Sequence, residues 1–156
     1  MEIRIAEITE VETIRNLVTT TIHLIYPHYY PMNIVDFFIA HHNQEHIKED
    51  ISNRKVYVLE DKEAIIGTVT IHDAEIHRLF VSLDFQGKGY GGLLLDFAEK
   101  MIASKHAVVH LDSSLPAKAI YLKRGYKEVS FHCIEAKNGD YLCYDLMQKR
   151  VKYKYE

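Results

Sequence analysis

Tryptophan is absent from this 156-residue chain, which has only two cysteines, three prolines and seven glycines. Two cysteines cannot build a disulfide framework, so the chain must bury a core of its own, and its length suits a single domain over residues 1–156. No apolar run approaches the ~20 residues a membrane-spanning helix needs. Met1 leads into a strand-like segment rather than a signal peptide, so a cytoplasmic location is expected. Nor is either charge in excess: 19 Lys and Arg face 22 Asp and Glu, for a net charge of −3. A basic field for nucleic acid is therefore missing, and Lys149, Arg150, Lys152 and Lys154 read as a short solvated tail. No repeat, linker or compositionally biased segment interrupts the chain.

The scarce glycines are not spread evenly. Gly87, Gly89, Gly91 and Gly92, four of the seven, fall within six positions. They sit between a strand-like run containing Ile76, His77, Leu79, Phe80 and Val81 and a helix-like run with Leu94, Phe97, Ala98 and Met101 at helical spacing. Asp96, Glu99 and Lys100 are expected on the other face of that helix. Glycine admits positive φ and close approach to the main chain. Placed at a helix start, such a turn presents unpaired N–H groups at the positive end of the helix dipole, which suits a phosphate or pyrophosphate. Lys88 adds a charge.

The rest of the chain arranges itself around this stretch. Met1 to Ala6 alternates as a strand, and a helix opens at Thr9 or Glu10 and carries Val11, Ile14, Leu17, Val18 and Ile22 to Tyr26-Pro27. A helical region from Asn33 to Ile51 breaks near His41-His42-Asn43. Lys55 to Leu59 and Ile65 to Ile71 are strands joined by a charged turn. Ala107 to Leu111 is a buried strand, and Pro116 starts a short helix after Ser114, a candidate N-cap, that stops at Gly125. Asn138-Gly139 predicts a two-residue hairpin. Pairing Lys137 with Asp140 then sets Cys133 opposite Tyr144, turns the two thiols to opposite faces, and makes both cysteines reduced core residues.

Two segments now resemble the GNAT superfamily of N-acetyltransferases, and the resemblance covers nearly the whole chain. Gln86-Gly87-Lys88-Gly89-Tyr90-Gly91 matches that family's [Arg/Gln]-x-x-Gly-x-[Gly/Ala] signature after a strand. Ala117 to Tyr126 resembles its second motif through Ala117, Tyr121, Gly125 and Tyr126, with Ser114 where Asn is common and Ile120 where Phe is common. The resemblance implies an α/β (mixed α+β) fold, a central, mostly antiparallel sheet of about seven strands flanked by about four helices. It also implies acetyl-CoA as cosubstrate, with the backbone of Gln86, Gly87, Lys88, Gly89, Tyr90, Gly91 and Gly92 around its pyrophosphate. The pantetheine arm is expected along Leu79, Phe80 and Val81, with Ser114, Ala117 and Tyr121 on the opposite wall. The acceptor is expected to be an amine-bearing small molecule or peptide, and a homodimer is compatible with such folds.

Acetyl transfer to an amine by direct attack in a ternary complex sets three requirements. The amine, with a pKa near ~10.4 for a lysine-type ammonium, must lose a proton. The developing oxyanion needs a donor such as the Leu79 N–H. The departing thiolate needs a proton or, with a pKa near ~8.5, leaves unaided. Tyr121 matches the family's acid beside the sulfur. Glu75 and His77, two residues apart on one strand face, are alternative bases, and a water relay is a third. Tyr26, Tyr29 and Tyr30 lie where the family forms one wall of the acceptor site, although their rings would serve equally well in the core.

Three other readings compete. Gly87-x-Gly89-x-x-Gly92, with Asp112 beyond it, fits a dinucleotide-binding fingerprint and an oxidoreductase, but the connector LDFQ separates strand from turn and the upstream strands are hairpin-joined. His42-Asn43-Gln44-Glu45-His46 has the inverted zinc-protease spacing, but that motif needs a third ligand in a larger chain, and no metal is expected. A non-catalytic acyl-CoA sensor on the same fold is the remaining alternative.

Overall fold

One sheet gathers all seven strands of the computed structural model, which describes residues 1–153; Lys154 of the basic tail lies outside the described residues. The strands are β1 (Glu2–Ile5), β2 (Val56–Asp61), β3 (Ala64–His72), β4 (Glu75–Val81), β5 (Val108–Ser113), β6 (Lys127–Glu135) and β7 (Tyr141–Arg150), in the order β1-β2-β3-β4-β5-β7-β6. Every neighbouring pair is antiparallel except β4 and β5. One parallel pair is not the doubly wound parallel sheet that a dinucleotide fold requires, so the oxidoreductase reading falls here.

The helices are α1 (Val11–Ile25), α2 (Met32–His41), α3 (Gln44–Ser52), α4 (Tyr90–Ala103) and α5 (Leu115–Lys123). Among the described residues they number five, the second helical region dividing, as expected, where His42 and Asn43 interrupt it. Asn43 caps α3 by accepting the His46 N–H at 2.9 Å. The period-two alternation of the strands then feeds two cores. Val56, Val58 and Phe80 point to one face, where α1, α2 and α3 bury Ile14, Val18, Ile22, Ile34 and Ile47. Leu59, Ile66, Val69 and Val81 point to the other, under Leu94, Leu95, Ala98 and Ile102 of α4. Gly67 permits that second contact: a Cβ there would lie 2.9 Å from Leu94 Cδ1 and 3.2 Å from the Phe80 carbonyl oxygen.

Helix α4 is rotated from the expected face. Met101 is 42% exposed, whereas Glu99 is only 9% exposed. The carboxylate tolerates burial because Tyr126 Oη donates to Oε1 at 3.0 Å and Lys149 Nζ to Oε2 at 2.9 Å. Both partners come from more than twenty residues away, outside any pattern local to the helix.

The C-terminal hairpin also departs from expectation. Glu135 pairs with Tyr141, and the connection runs from Ala136 to Asp140, with the Ala136 N–H donating to the Asp140 carbonyl at 2.7 Å. A five-residue loop replaces the two-residue turn, and the register moves by one. Cys133 therefore faces Cys143 directly, with the sulfurs 2.9 Å apart; Cys133 is exposed and Cys143 half-buried, and neither is a core residue. Directly opposed residues of an antiparallel pair have Cα atoms about 4.5–5.5 Å apart, inside the range of about 4.4–6.8 Å that a disulfide spans. Mild oxidation with diamide is expected to remove two titratable thiols and leave a monomeric band on a non-reducing gel. Two thiols persisting, or a cross-linked dimer, would refute the observed register.

Candidate active site

The site begins with a defect in β4. Thr68 of β3 pairs with Phe80 and Thr70 with His77, so Arg78 and Leu79 together oppose Val69 in a β-bulge. Arg78 sits at φ +44°, unfavourable for a residue with a Cβ. Its side chain, 6% exposed, holds it there: the guanidinium donates to Asp50 at 2.8 Å, to Thr70 Oγ1 at 3.1 Å and to His42 Nδ1 at 3.2 Å. On its other edge β4 pairs with β5 only at Glu75↔His110 and Ile76↔Leu111. Beyond Ile76 the two strands part, leaving the main chain around Leu79 without a register partner on either side.

Two clefts open where the sheet parts. One, of about 480 Å³, runs from Leu79, Phe80 and Val81 to the glycine turn, with Ser114, Ala117 and Tyr121 across from the strand. The other, of about 360 Å³, holds Glu75, His77 and Asp112 between α2 and the β6–β7 hairpin. Tyr26, Leu79, Phe80, Ser114, Ala117 and Tyr121 line both, so the clefts meet back to back through the gap.

At the turn, Gly87 and Gly89 adopt φ of +73° and +88°. Gly89 is the N-cap of α4 and no side chain caps the helix, so the N–H groups of Tyr90, Gly91 and Gly92 face outward at its positive end. Gln86 closes the turn back onto the strand, its Nε2 donating to the Val81 carbonyl at 2.9 Å. The Arg124 guanidinium stands over the first helical turn, where a Cβ on Gly92 would meet Nη1 at 3.3 Å; it is a cation the sequence pattern did not single out. Lys88 instead turns to the Asp84 carbonyl. Uncapped amides are a donor set that fits a diphosphate, whereas the guanidinium overhead is held by Asp96 and Glu99.

The chemistry-bearing side chains gather at the junction. Tyr121 is buried and its hydroxyl sits well above the usual tyrosine range, raised by burial and then by Tyr26; it stays protonated at neutral pH. Tyr26 is raised by burial too, and its hydroxyl shares a hydrogen bond with Ser114. Glu75 and His77 meet, Nε2 to Oε2 at 3.3 Å. Of the other tyrosines, Tyr29 is exposed on the turn-side cleft alone, and Tyr30 lines neither. Tyr30 is buried and accepts the Leu115 N–H at the start of α5, with burial pushing its hydroxyl up to about 12. Its place between the first two helices made it resemble an acceptor wall; its role as an anchor for α5 is 85 residues away in sequence and carries no local signal.

The sequence offers Asp112 only as part of the dinucleotide fingerprint. The parallel pairing puts it on the face of Glu75 and His77, and the confined cleft, with Glu75 second, lifts its carboxyl above the usual range. His42 and His46 do not converge as the zinc-protease spacing would require. His42 Nδ1 accepts from Arg78, and His46 Nδ1 lies 2.8 Å from the His41 carbonyl.

The family profile for the acetyltransferase (GNAT) domain matches residues 25–139. The chain belongs to the GNAT acetyltransferase family. Among solved structures, a GCN5-related N-acetyltransferase from Rhodopseudomonas palustris superposes with a TM-score of 0.87 at 18% identity, over 96% of this chain and 95% of that one. The PaiA N-acetyltransferase of Thermoplasma acidophilum, in complex with coenzyme A, gives 0.74 at 21% identity, covering 96% and 98%. YncA of Salmonella typhimurium, with acetyl-CoA, gives 0.71 at 19%, covering 96% and 93%. No curated protein matches. These likenesses establish the GNAT fold, a mixed, mostly antiparallel seven-stranded sheet between helices.

The clasp on Arg78 carries a pH dependence. Burial, then the charge of Arg78, depresses His42 to about 3; the residue is partly exposed, but Nδ1 is turned inward. In the unfolded chain the ring titrates near ~6.5. Between those values the unfolded state binds more protons, so stability falls as pH drops through the window. Melting temperature is expected to decline from pH 7 to pH 4, and less steeply in His42→Gln, whose amide oxygen accepts from Arg78 without titrating. Identical slopes, followed by circular dichroism, would exclude His42 as the source.

Proposed function

We propose that the chain is one catalytic domain that transfers the acetyl group of acetyl-CoA to a primary amine, directly, within a ternary complex. The junction of the two clefts carries this reading. A double-displacement route would suffice with one cleft and a nucleophile at its end, whereas two clefts that share a wall can hold donor and acceptor at once. The binding of coenzyme A by the Thermoplasma protein and of acetyl-CoA by the Salmonella protein supports the choice of cosubstrate.

In this reading the amides of Gly89, Tyr90, Gly91 and Gly92, with Gln86 and Gly87 shaping the turn, hold the diphosphate. Leu79, Phe80 and Val81 flank the pantetheine arm, and Ser114 and Ala117 line the facing wall. Acetyl-CoA, when bound, supplies an acetyl thioester. Glu75 and His77 take up the proton that the ammonium must lose. Their contact lets either act alone or both serve as ends of a relay through water. The Leu79 N–H, at the bulge, polarises the acyl oxygen. Tyr121, kept protonated by burial, donates its phenolic proton to the sulfur that leaves.

Tyr121→Phe is expected to lower kcat by about 10²–10³-fold while leaving acetyl-CoA affinity by calorimetry within a factor of two or three. Unchanged turnover would remove Tyr121 from the mechanism. Binding of acetyl-CoA with no thiol release across a broad amine panel would replace an enzyme by an acyl-CoA sensor. Glu75→Gln and His77→Gln should each shift the acid limb of the pH–rate profile; a limb that survives both would assign proton removal to water alone.

A further inference from the structure

Resting on the acetyltransferase reading, the charge and lining of the second cleft narrow its substrate further. Two carboxylates, Glu75 and Asp112, face into it. Arg78, the one guanidinium on its wall, is spent on Asp50 beneath the bulge. Among the described residues no lysine lines the cleft. Its histidines do not change the balance near neutral pH: burial lowers both His41 and His42, and His77 is already against Glu75. A carboxylate or phosphate on the acceptor would thus be desolvated beside two like charges with no cation to meet it.

The walls say as much about the rest of the acceptor. Phe37 and Phe38 from α2 face Ile134, Leu142 and Tyr144 from the hairpin. Phe37 is 39% exposed and Ile134 42% exposed, so both walls leave apolar surface open to solvent. At about 360 Å³ the cleft is near the small end of the ~300–1,000 Å³ typical of small-molecule sites. Both carboxylates belong to adjacent strands, β4 and β5, whereas the apolar side chains come from α2 and the hairpin.

We propose that the acceptor is a hydrophobic monoamine: one ammonium carried on an aryl or branched-alkyl body, with no acidic group. Glu75 and Asp112 receive the ammonium; Phe37, Phe38, Ile134 and Tyr144 enclose the body. Amino acids are refused by charge, and polyamines find no second acidic end for their distal ammonium.

Matched acceptors test this with the wild-type protein and acetyl-CoA. 2-Phenylethylamine and phenylalanine share ring, amine and spacing and differ by one carboxylate; phenylalaninamide keeps the bulk and removes the charge. The expected order in kcat/KM is 2-phenylethylamine above phenylalanine by about 100-fold or more, with phenylalaninamide within about tenfold of the amine. Asp112→Asn, a change on an exposed residue, is expected to narrow the amine-to-phenylalanine gap at least about tenfold, chiefly through KM. Phenylalanine equal to 2-phenylethylamine, or spermidine or a lysine-bearing peptide preferred to it, would overturn the substrate assignment while leaving amine acetylation in place. Phenylalaninamide as poor as phenylalanine would make the exclusion one of bulk and overturn the charge argument. Acetyl-CoA binding without acetylation of any acceptor would remove the transfer reading itself.

Discussion

A strand that should pair on both sides is prevented from doing so at Arg78. A left-handed conformation at a residue with a Cβ costs on the order of 1 kcal/mol or more, and burying a guanidinium costs further. Both are offset by three hydrogen bonds from three elements, α3 through Asp50, β3 through Thr70 and the α2–α3 junction through His42. The clasp converts a local defect into a fixed one. Without it, nothing would hold Arg78 and Leu79 out of register with Val69, beside the stretch where β4 parts from β5. Both clefts and their junction depend on that parting, although the clasp itself lies behind the sheet from the glycine turn.

In the proposed transfer the two sides of the gap meet opposite requirements. A diphosphate needs exposed amides and positive potential, and the turn provides them by leaving α4 uncapped. An ammonium needs negative charge in a confined space, provided by Glu75 and Asp112. Were the two cavities one, each charge would find the wrong partner. Tyr121 and the main chain of Leu79 and Phe80 form the partition, and a neutral, proton-donating phenol is suited to it because it favours neither charge over the other.

What could be read in the sequence was what chemistry ties to local spacing. Glycines packed at 87, 89, 91 and 92 demand a turn and free amides; an apolar run before them and helical spacing after them give strand and helix. Tyr121 followed from its place in a short motif. Partnerships across long separations were not legible. Glu99 looks like a solvent residue until Tyr126 and Lys149 are brought to it. Arg78 looks like an exposed strand residue until Asp50, 28 positions earlier, accepts its guanidinium. The cysteines failed differently: Asn138-Gly139 does turn the chain, but through five residues rather than two, and a shift of one in register exchanges every face of a strand. Asp112 was visible, yet its meaning depended on which strand lay beside it.

The serine at 114 shows how a departure from a family pattern can be absorbed. The resemblance sets an asparagine there, with a longer side chain able to reach into the cleft. Ser114 is shorter, and its hydroxyl meets Tyr26, the residue at which α1 ends. Tyr26 in turn packs edge-on against Phe38 of α2, with ring centres 4.8 Å apart. One hydroxyl contact thereby joins the wall of the turn-side cleft to the aromatic wall of the other. The hydroxyl of Tyr26 needs a partner to be buried at the junction, and Ser114 provides one without adding charge to a partition that functions by having none.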